Sequence, residues 1–205
     1  MFFDLHKTYI NIIIKKCQDK VNNFVNHPEF IEKITEFFND SNFYNWRGIR
    51  YFLYEYEQSL YEKSKTKKVK IDWLKFKEER HDFITVEHIF PQTVKHECWK
   101  VNFGKYPLKQ RRILNNSLGN LLPLSKPKNS SLQNKCFRDK IDSKTEYVGF
   151  RFGSYSENEV SKYKDWTPET IKVRGLKLLM FMEKRWNLNF KNDETRIKIL
   201  NLDFL

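Results

Sequence analysis

The chain has 205 residues, 40% of them hydrophobic and 16% aromatic, with 18 Phe, 10 Tyr and 5 Trp; this excludes a disordered chain and fits one domain or two small ones packed together. Lys and Arg outnumber Asp and Glu by 38 − 26 = 12, which points to a polyanionic partner through counterion release, although a Lys- and Asn-rich proteome produces the same excess without that meaning. The longest apolar run, residues 9–14, is interrupted by Asn11 and followed by Lys15 and Lys16, too short to span a bilayer and without a cleavage pattern.

The cysteines, Cys17, Cys98 and Cys136, stand far apart with no CxxC pair, so neither a zinc knuckle nor a disulfide framework is supported. A soluble protein of the reducing cytoplasm is the expectation.

Residues 5–62 read as helices. Phe30, Ile31, Ile34, Phe37 and Phe38 recur at helical spacing, as do Tyr44, Ile49, Phe52, Leu53, Tyr56 and Leu60. Ser41-Asn42 between the two sets is a cap candidate. The aromatic stripe from Phe43 to Tyr56 could stack bases, but at this spacing core packing is the better reading. Lys63 to Lys70 (KSKTKKVK) has no periodicity and reads as a solvated connection.

A short strand is predicted over 83–86, where β-branched and aromatic residues run into His88-Ile89-Phe90-Pro91 and a turn. Residues 95–117 read as basic and irregular. A second strand is predicted over 120–124, introduced by Gly119. Ser125-Lys126-Pro127 then opens a helix running to about Ile141. Near the end, Thr167-Pro168-Glu169 has the form of a cap, a proline at the first helical position and an early acidic residue. The last residues, 197–205, are apolar enough to pack. The four other histidines, His6, His27, His81 and His96, have no partner pattern.

The order strand, Glu-His, long loop, strand with Asn, helix with Asn is what suggests chemistry. Phosphodiester hydrolysis needs a divalent ion to neutralise the scissile phosphate and a base to activate water. Glu87 and Asn129 offer a carboxylate and an amide oxygen of the kind hard ions prefer, and His88 can stay neutral near pH 7 and accept a proton. Adjacent residues on a strand point to opposite sides, so the Glu87-His88 pair requires the chain to bend at the strand end. Asn129 could instead merely cap the helix, with Ser130 or Asn134 then supplying the oxygen.

Residues 86–92 (VEHIFPQ), followed by 118–124 (LGNLLPL) and Asn129, resemble the C-terminal HNH domain of GmrSD-type restriction endonucleases. Asn134-Lys135-Cys136-Phe137 with Lys140 beyond, and the segment 50–57, extend the resemblance to about residues 43–186. It implies a mostly helical α+β chain with a ββα-metal HNH unit among helices: an N-terminal helical region at 1–70 and a nuclease domain at 71–205, with its core at about 82–141. His88 would be the general base and Asn120 would brace the loop after it. Glu87 stands where relatives usually carry Asp, and Asn129 where many carry His; together they would hold one Mg²⁺ or Mn²⁺. Lys126, Lys128, Lys135, Arg138 and Lys140 would lie near DNA phosphates, unless Lys135, Arg138 and Lys140 are only a solvated helix face. The implied activity is metal-dependent DNA cleavage in restriction or anti-phage defence. No phosphate-cradling GxxxxGK[ST] loop is present, so a nucleotide-hydrolysing or target-sensing module would lie in another domain or subunit, for which the N-terminal helices are a docking candidate. A non-catalytic nucleic-acid binder or structural subunit is the competing expectation, disfavoured by an intact metal-plus-base set.

Overall fold

The computed structural model describes residues 2–72, 85–143 and 149–205. They form a mostly helical α+β chain with one two-stranded antiparallel sheet among the described residues.

Three helices come first: α1 (Phe2–Val25), α2 (Phe30–Ser41) and α3 (Ile49–Lys63). Along α1, Ile12, Ile13, Ile14, Val21 and Phe24 are exposed. Ser41-Asn42 ends α2 and does not open α3. The Ser41 hydroxyl donates back to Phe37 O at 2.6 Å, and Asn42 turns to φ 55°, its Oδ1 accepting from Asn45 N at 3.0 Å. A residue with positive φ cannot continue a right-handed helix, and α3 begins only at Ile49. Phe43, Phe52 and Tyr56 are core, while Tyr44 and Tyr51 face solvent. The Lys-rich connection that follows forms neither helix nor strand. Lys70 anchors its end by donating to Gly153 O at 2.7 Å and Asn158 Oδ1 at 3.0 Å.

Strand β1 (Thr85–His88) pairs with β2 (Leu121–Leu124), Thr85 opposite Leu124 and His88 opposite Leu121. The first strand therefore lies later than expected, and Phe83 and Ile84 fall outside the described residues. Pairing carries on past His88, where Ile89 N donates to Asn120 O at 3.0 Å, so the turn comes at Phe90-Pro91. Asn120 itself belongs to a 3-10 turn, Leu118–Asn120, ahead of β2.

Residues 95–117, expected to be irregular, contain helices α4 (Glu97–Phe103) and α5 (Leu108–Asn116). Trp99 and Phe103, four apart, bury one face of α4 against Phe90, whose ring stacks on Phe103 at 3.7 Å. Pro107, which lacks an N–H and has a fixed φ, leads into α5. The helix expected from Lys126 to Ile141 is two helices, α6 (Lys126–Leu132) and α7 (Phe137–Asp142). They are separated at Gln133, whose φ of 34° no continuous helix accommodates. This break lets Trp99 Nε1 donate to Asn134 O at 3.2 Å and brings Cys136 to Cys98, with Cα atoms 6.0 Å apart, where the two form a disulfide. The reading against any disulfide is thereby corrected: a separation of 38 residues leaves no local signal.

The C-terminal part holds α8 (Tyr155–Val160), α9 (Pro168–Trp186) and α10 (Asp193–Ile199). Thr167 caps α9 as expected, its hydroxyl accepting from Thr170 N at 3.1 Å. Glu57 on α3 accepts from Tyr155 N and Ser156 N, both at 2.7 Å, tying α8 to α3. The turn before β2 presses against α9 so closely that a Cβ on Gly119 would lie 1.9 Å from Ile171 O. Arg174 of α9, wholly buried, donates to Gly119 O at 2.7 Å and Leu121 O at 2.9 Å. Near the C-terminus Leu200 and Leu202 are buried, completing a core that begins at Phe30. Among the described residues no helix is long and apolar enough to cross a membrane.

Candidate active site

The end of β1 is the focus. Glu87 and His88 are both buried, at 4% and 8% exposure, yet both border one open cleft of about 330 Å³ together with Tyr44, Gln92, Asn129, Gln133 and Asn134. The two adjacent residues reach this cleft while still within the strand pairing, and the chain turns only after Ile89. Asn120, fully buried, accepts from Phe90 N at 2.8 Å and donates to Phe90 O at 2.9 Å. Its amide also donates to Asn115 O at 2.9 Å and accepts from Trp166 Nε1 at 2.9 Å. Asn115 adds bonds to Phe90 O at 3.0 Å and Pro91 O at 2.9 Å. The Phe90-Pro91 backbone is thus held on several sides, and Asn120 sits behind the cleft without lining it.

Glu87 forms an ion pair with Lys140 of α7, and the same ammonium donates to His88 O at 3.2 Å and Ile89 O at 3.1 Å. With three acceptors for its three N–H groups, Lys140 is fully satisfied although it has no exposed surface. Burial raises the pKa of Glu87 and lowers that of Lys140, and their mutual attraction opposes both shifts.

His88 is held through Nε2, which lies 3.2 Å from Asn116 Oδ1, an acceptor, and 3.3 Å from Gln92 Nε2, a donor. The ring of Tyr44 leans on the imidazole at 4.3 Å. Burial pushes the His88 pKa down to about 4; the bond to Asn116 works against this shift and the charge of Lys140 adds to it. The imidazole is therefore neutral at physiological pH and able to accept a proton.

Ser125, and not Asn129, caps α6, its hydroxyl accepting from Lys128 N at 3.4 Å. Asn129 sits half-buried in the middle of that helix with its side chain on the cleft. Asn134, one of the two substitutes considered for it, also borders the cleft, whereas the exposed Ser130 does not. The five basic residues separate. Lys126 and Arg138 are exposed and Lys135 is half-buried. Lys128 is buried in an ion pair with Glu157, and Lys140 is buried against Glu87; neither ammonium stands on an exposed helix face.

Sequence reasoning missed Tyr44, Gln92, Asn115 and Asn116 around the histidine, and the inward role of Lys140. Only the last had a local signal: Phe137, Lys140 and Ile141 share the buried face of α7. Among the described residues no group of three or more His, Cys, Asp or Glu could hold a metal ion. Of the oxygen-bearing side chains on the cleft, the two expected to hold an ion are the Glu87 carboxylate, with Oε1 taken by Lys140, and the Asn129 amide, with Thr93, Gln133 and Asn134 beside them. That small, hard donor set fits an ion such as Mg²⁺, which keeps several waters and needs few protein ligands.

Fold and site together define a mostly helical α+β protein in which a two-stranded sheet offers a buried Glu-His pair to an open polar cleft. Residues 29–181 match the family described as GmrSD restriction endonucleases, C-terminal domain, and the chain belongs to that family. The family ties it to a restriction-endonuclease-related nuclease role, a hydrolase with DNA as the implied substrate. A comparison with curated proteins found no match, and a comparison with solved structures found none.

Proposed function

We propose that the chain is a metal-dependent HNH endonuclease that hydrolyses DNA phosphodiester bonds in restriction or anti-phage defence, with β1, β2 and α6 as its ββα-metal unit. The observation that carries this reading is the meeting of Glu87, a neutral His88 and Asn129 at one cleft. Glu87 and Asn129 would hold one Mg²⁺ or Mn²⁺, which when bound supplies positive charge to the scissile phosphate and the leaving oxygen. His88 takes the proton from the attacking water as the water oxygen bonds to phosphorus and the P–O bond to the leaving oxygen breaks, that oxygen taking up a proton from solvent. Asn120 keeps the Phe90-Pro91 backbone, and hence the end of β1, in place. Lys140 holds the Glu87 carboxylate from behind. Lys126, Lys135 and Arg138, those of the five expected contacts that keep solvent access, would contact flanking phosphates. Target choice would rest with a nucleotide-hydrolysing or target-sensing subunit or domain.

The test is plasmid cleavage with Mg²⁺ or Mn²⁺, on plain and modified DNA. Cutting is expected to vanish with EDTA and to fall by about 10²-fold to 10⁴-fold in His88→Ala, the range a general base contributes. Undiminished cutting by His88→Ala would remove His88 as the base. Absence of metal-dependent cutting on every substrate would remove the enzyme reading.

A further inference from the structure

The imidazole of His88 has two nitrogens, and a neutral ring carries a proton on only one of them. Which one is protonated decides which atom can take a proton from water. The neighbours of Nε2 settle the matter through Asn116, at the last position of α5. The Asn116 Nδ2 group donates to Arg112 O one helical turn back, at 3.1 Å. Turning the amide over would set Oδ1 against that carbonyl, acceptor facing acceptor, so the oxygen is the atom left to face His88 at 3.2 Å. An oxygen there can only accept, which requires Nε2 to carry the hydrogen. Gln92 Nε2 stands 3.3 Å from the same nitrogen, where its N–H would meet the Nε2–H head-on; among the described residues the Gln92 amide makes no other hydrogen bond, so nothing opposes its turning over to present Oε1 as a second acceptor, whereas Asn116 is held by Arg112. Tyr44, leaning on the ring at 4.3 Å, limits its rotation.

We infer that Asn116 is a positioning residue that fixes His88 as its Nε2–H tautomer and so leaves Nδ1 as the proton-accepting atom. Among the described residues no group is hydrogen-bonded to Nδ1, which leaves its lone pair free for water. Asn116 also borders the neighbouring cleft of about 460 Å³ with Lys109 and Arg112, so the residue that orients the base lies beside cationic side chains. The inference rests on the proposed role of His88 as base, but its first measurement does not require activity.

That measurement is ¹⁵N NMR of the imidazole nitrogens in the full chain at pH 8, with His88 identified by the signals lost in His88→Gln. Wild-type protein is expected to show a lone-pair-type shift at Nδ1 and a protonated, pyrrole-type shift at Nε2. Asn116→Leu removes the acceptor and should move both signals toward an average of the two tautomers. Asn116→Asp keeps an acceptor oxygen for Nε2 while giving up the bond to Arg112 O, and should bring the wild-type pattern back. On a cleaved plasmid, Asn116→Leu should lower kcat by about 10-fold to 100-fold with KM within about twofold, part of the range available to a positioned base; Asn116→Asp should recover most of it.

A protonated Nδ1 in wild-type protein, or unchanged nitrogen shifts in Asn116→Leu, overturns the inference. The wild-type spectrum decides even if the leucine variant does not fold. Expected shifts in a protein that cuts no DNA would sink the nuclease proposal and leave the role of Asn116 standing, whereas metal-dependent cutting with the opposite tautomer would do the reverse.

Discussion

At the scale of single residues, the contact with most at stake is the one between Glu87 and Lys140. Each charge is almost wholly removed from water, with side-chain exposures of 5% and 0%. Removing one partner of such a pair leaves the other uncompensated, a cost of about 3–5 kcal/mol, while replacing both can be close to neutral. Lys140→Met is therefore expected to lose stability in that range in chemical denaturation. The double variant Lys140→Met, Glu87→Gln should regain part of the loss, because a neutral amide is cheaper to bury than a lone carboxylate. A single variant within 1 kcal/mol of wild type would mean that the pair is not formed in solution.

The same residues show what a sequence can disclose. Glu87, His88, Asn120 and Asn129 are readable because they belong to short runs with a recognisable order. Asn116 lies 28 residues from the histidine it touches, and Lys140 lies 53 residues from Glu87; contacts of this kind exist only once the chain has folded. A lysine on the apolar side of a six-residue helix does hint that its charge is partnered inside, but the sequence does not say by what.

At the scale of elements, the strand pair and the flanking caps were legible because proline, glycine and capping residues act locally. The Thr167-Pro168 start of α9 is the clearest case. The split between α6 and α7 was not, since Gln133 carries no intrinsic preference for a positive φ and adopts one in the turn that leads to Asn134 and Cys136. Helices α4 and α5 were hidden for a related reason. Both are short, α5 is basic, and α4 depends on burying Trp99 and Phe103 against Phe90 more than on its own propensity.

Gly119 is where one element constrains another most tightly. A methyl group there would meet Ile171 O at 1.9 Å and Gly175 N at 2.8 Å, backbone atoms of α9 that no rotamer change can move. Gly119→Ala must therefore push the 118–120 turn away from α9, loosening the Arg174 bonds and shifting Asn120. We expect a loss of about 3 kcal/mol or more in thermal or chemical unfolding, at the high end of overpacking costs. Gly175→Ala, whose added Cβ would meet the Leu200 side chain at 2.9 Å, should cost less, because a side-chain methyl can give way. Equal losses from the two would argue against a rigid contact between the turn and α9.

At the scale of the whole molecule, the Cys98–Cys136 disulfide closes a loop that contains α5, the turn with Asn120, β2 and α6 with Asn129. The cross-link joins α4 to the approach to α7, two residues beyond Asn134 of the cleft. A bridge of 38 residues' separation stabilises chiefly by restricting the unfolded chain, and bridges of that kind contribute about 2–4 kcal/mol. Cys98→Ala, Cys136→Ala is expected to lower unfolding free energy by that amount, and reductant should lower wild-type protein equally while leaving the double variant unchanged. Since Asn120 and the Phe90-Pro91 backbone are joined by their own hydrogen bonds, folded double variant should keep the His88 environment, and its ¹⁵N imidazole shifts should match wild type. Altered shifts would show that the cross-link, and not the asparagine network alone, sets the geometry of the base.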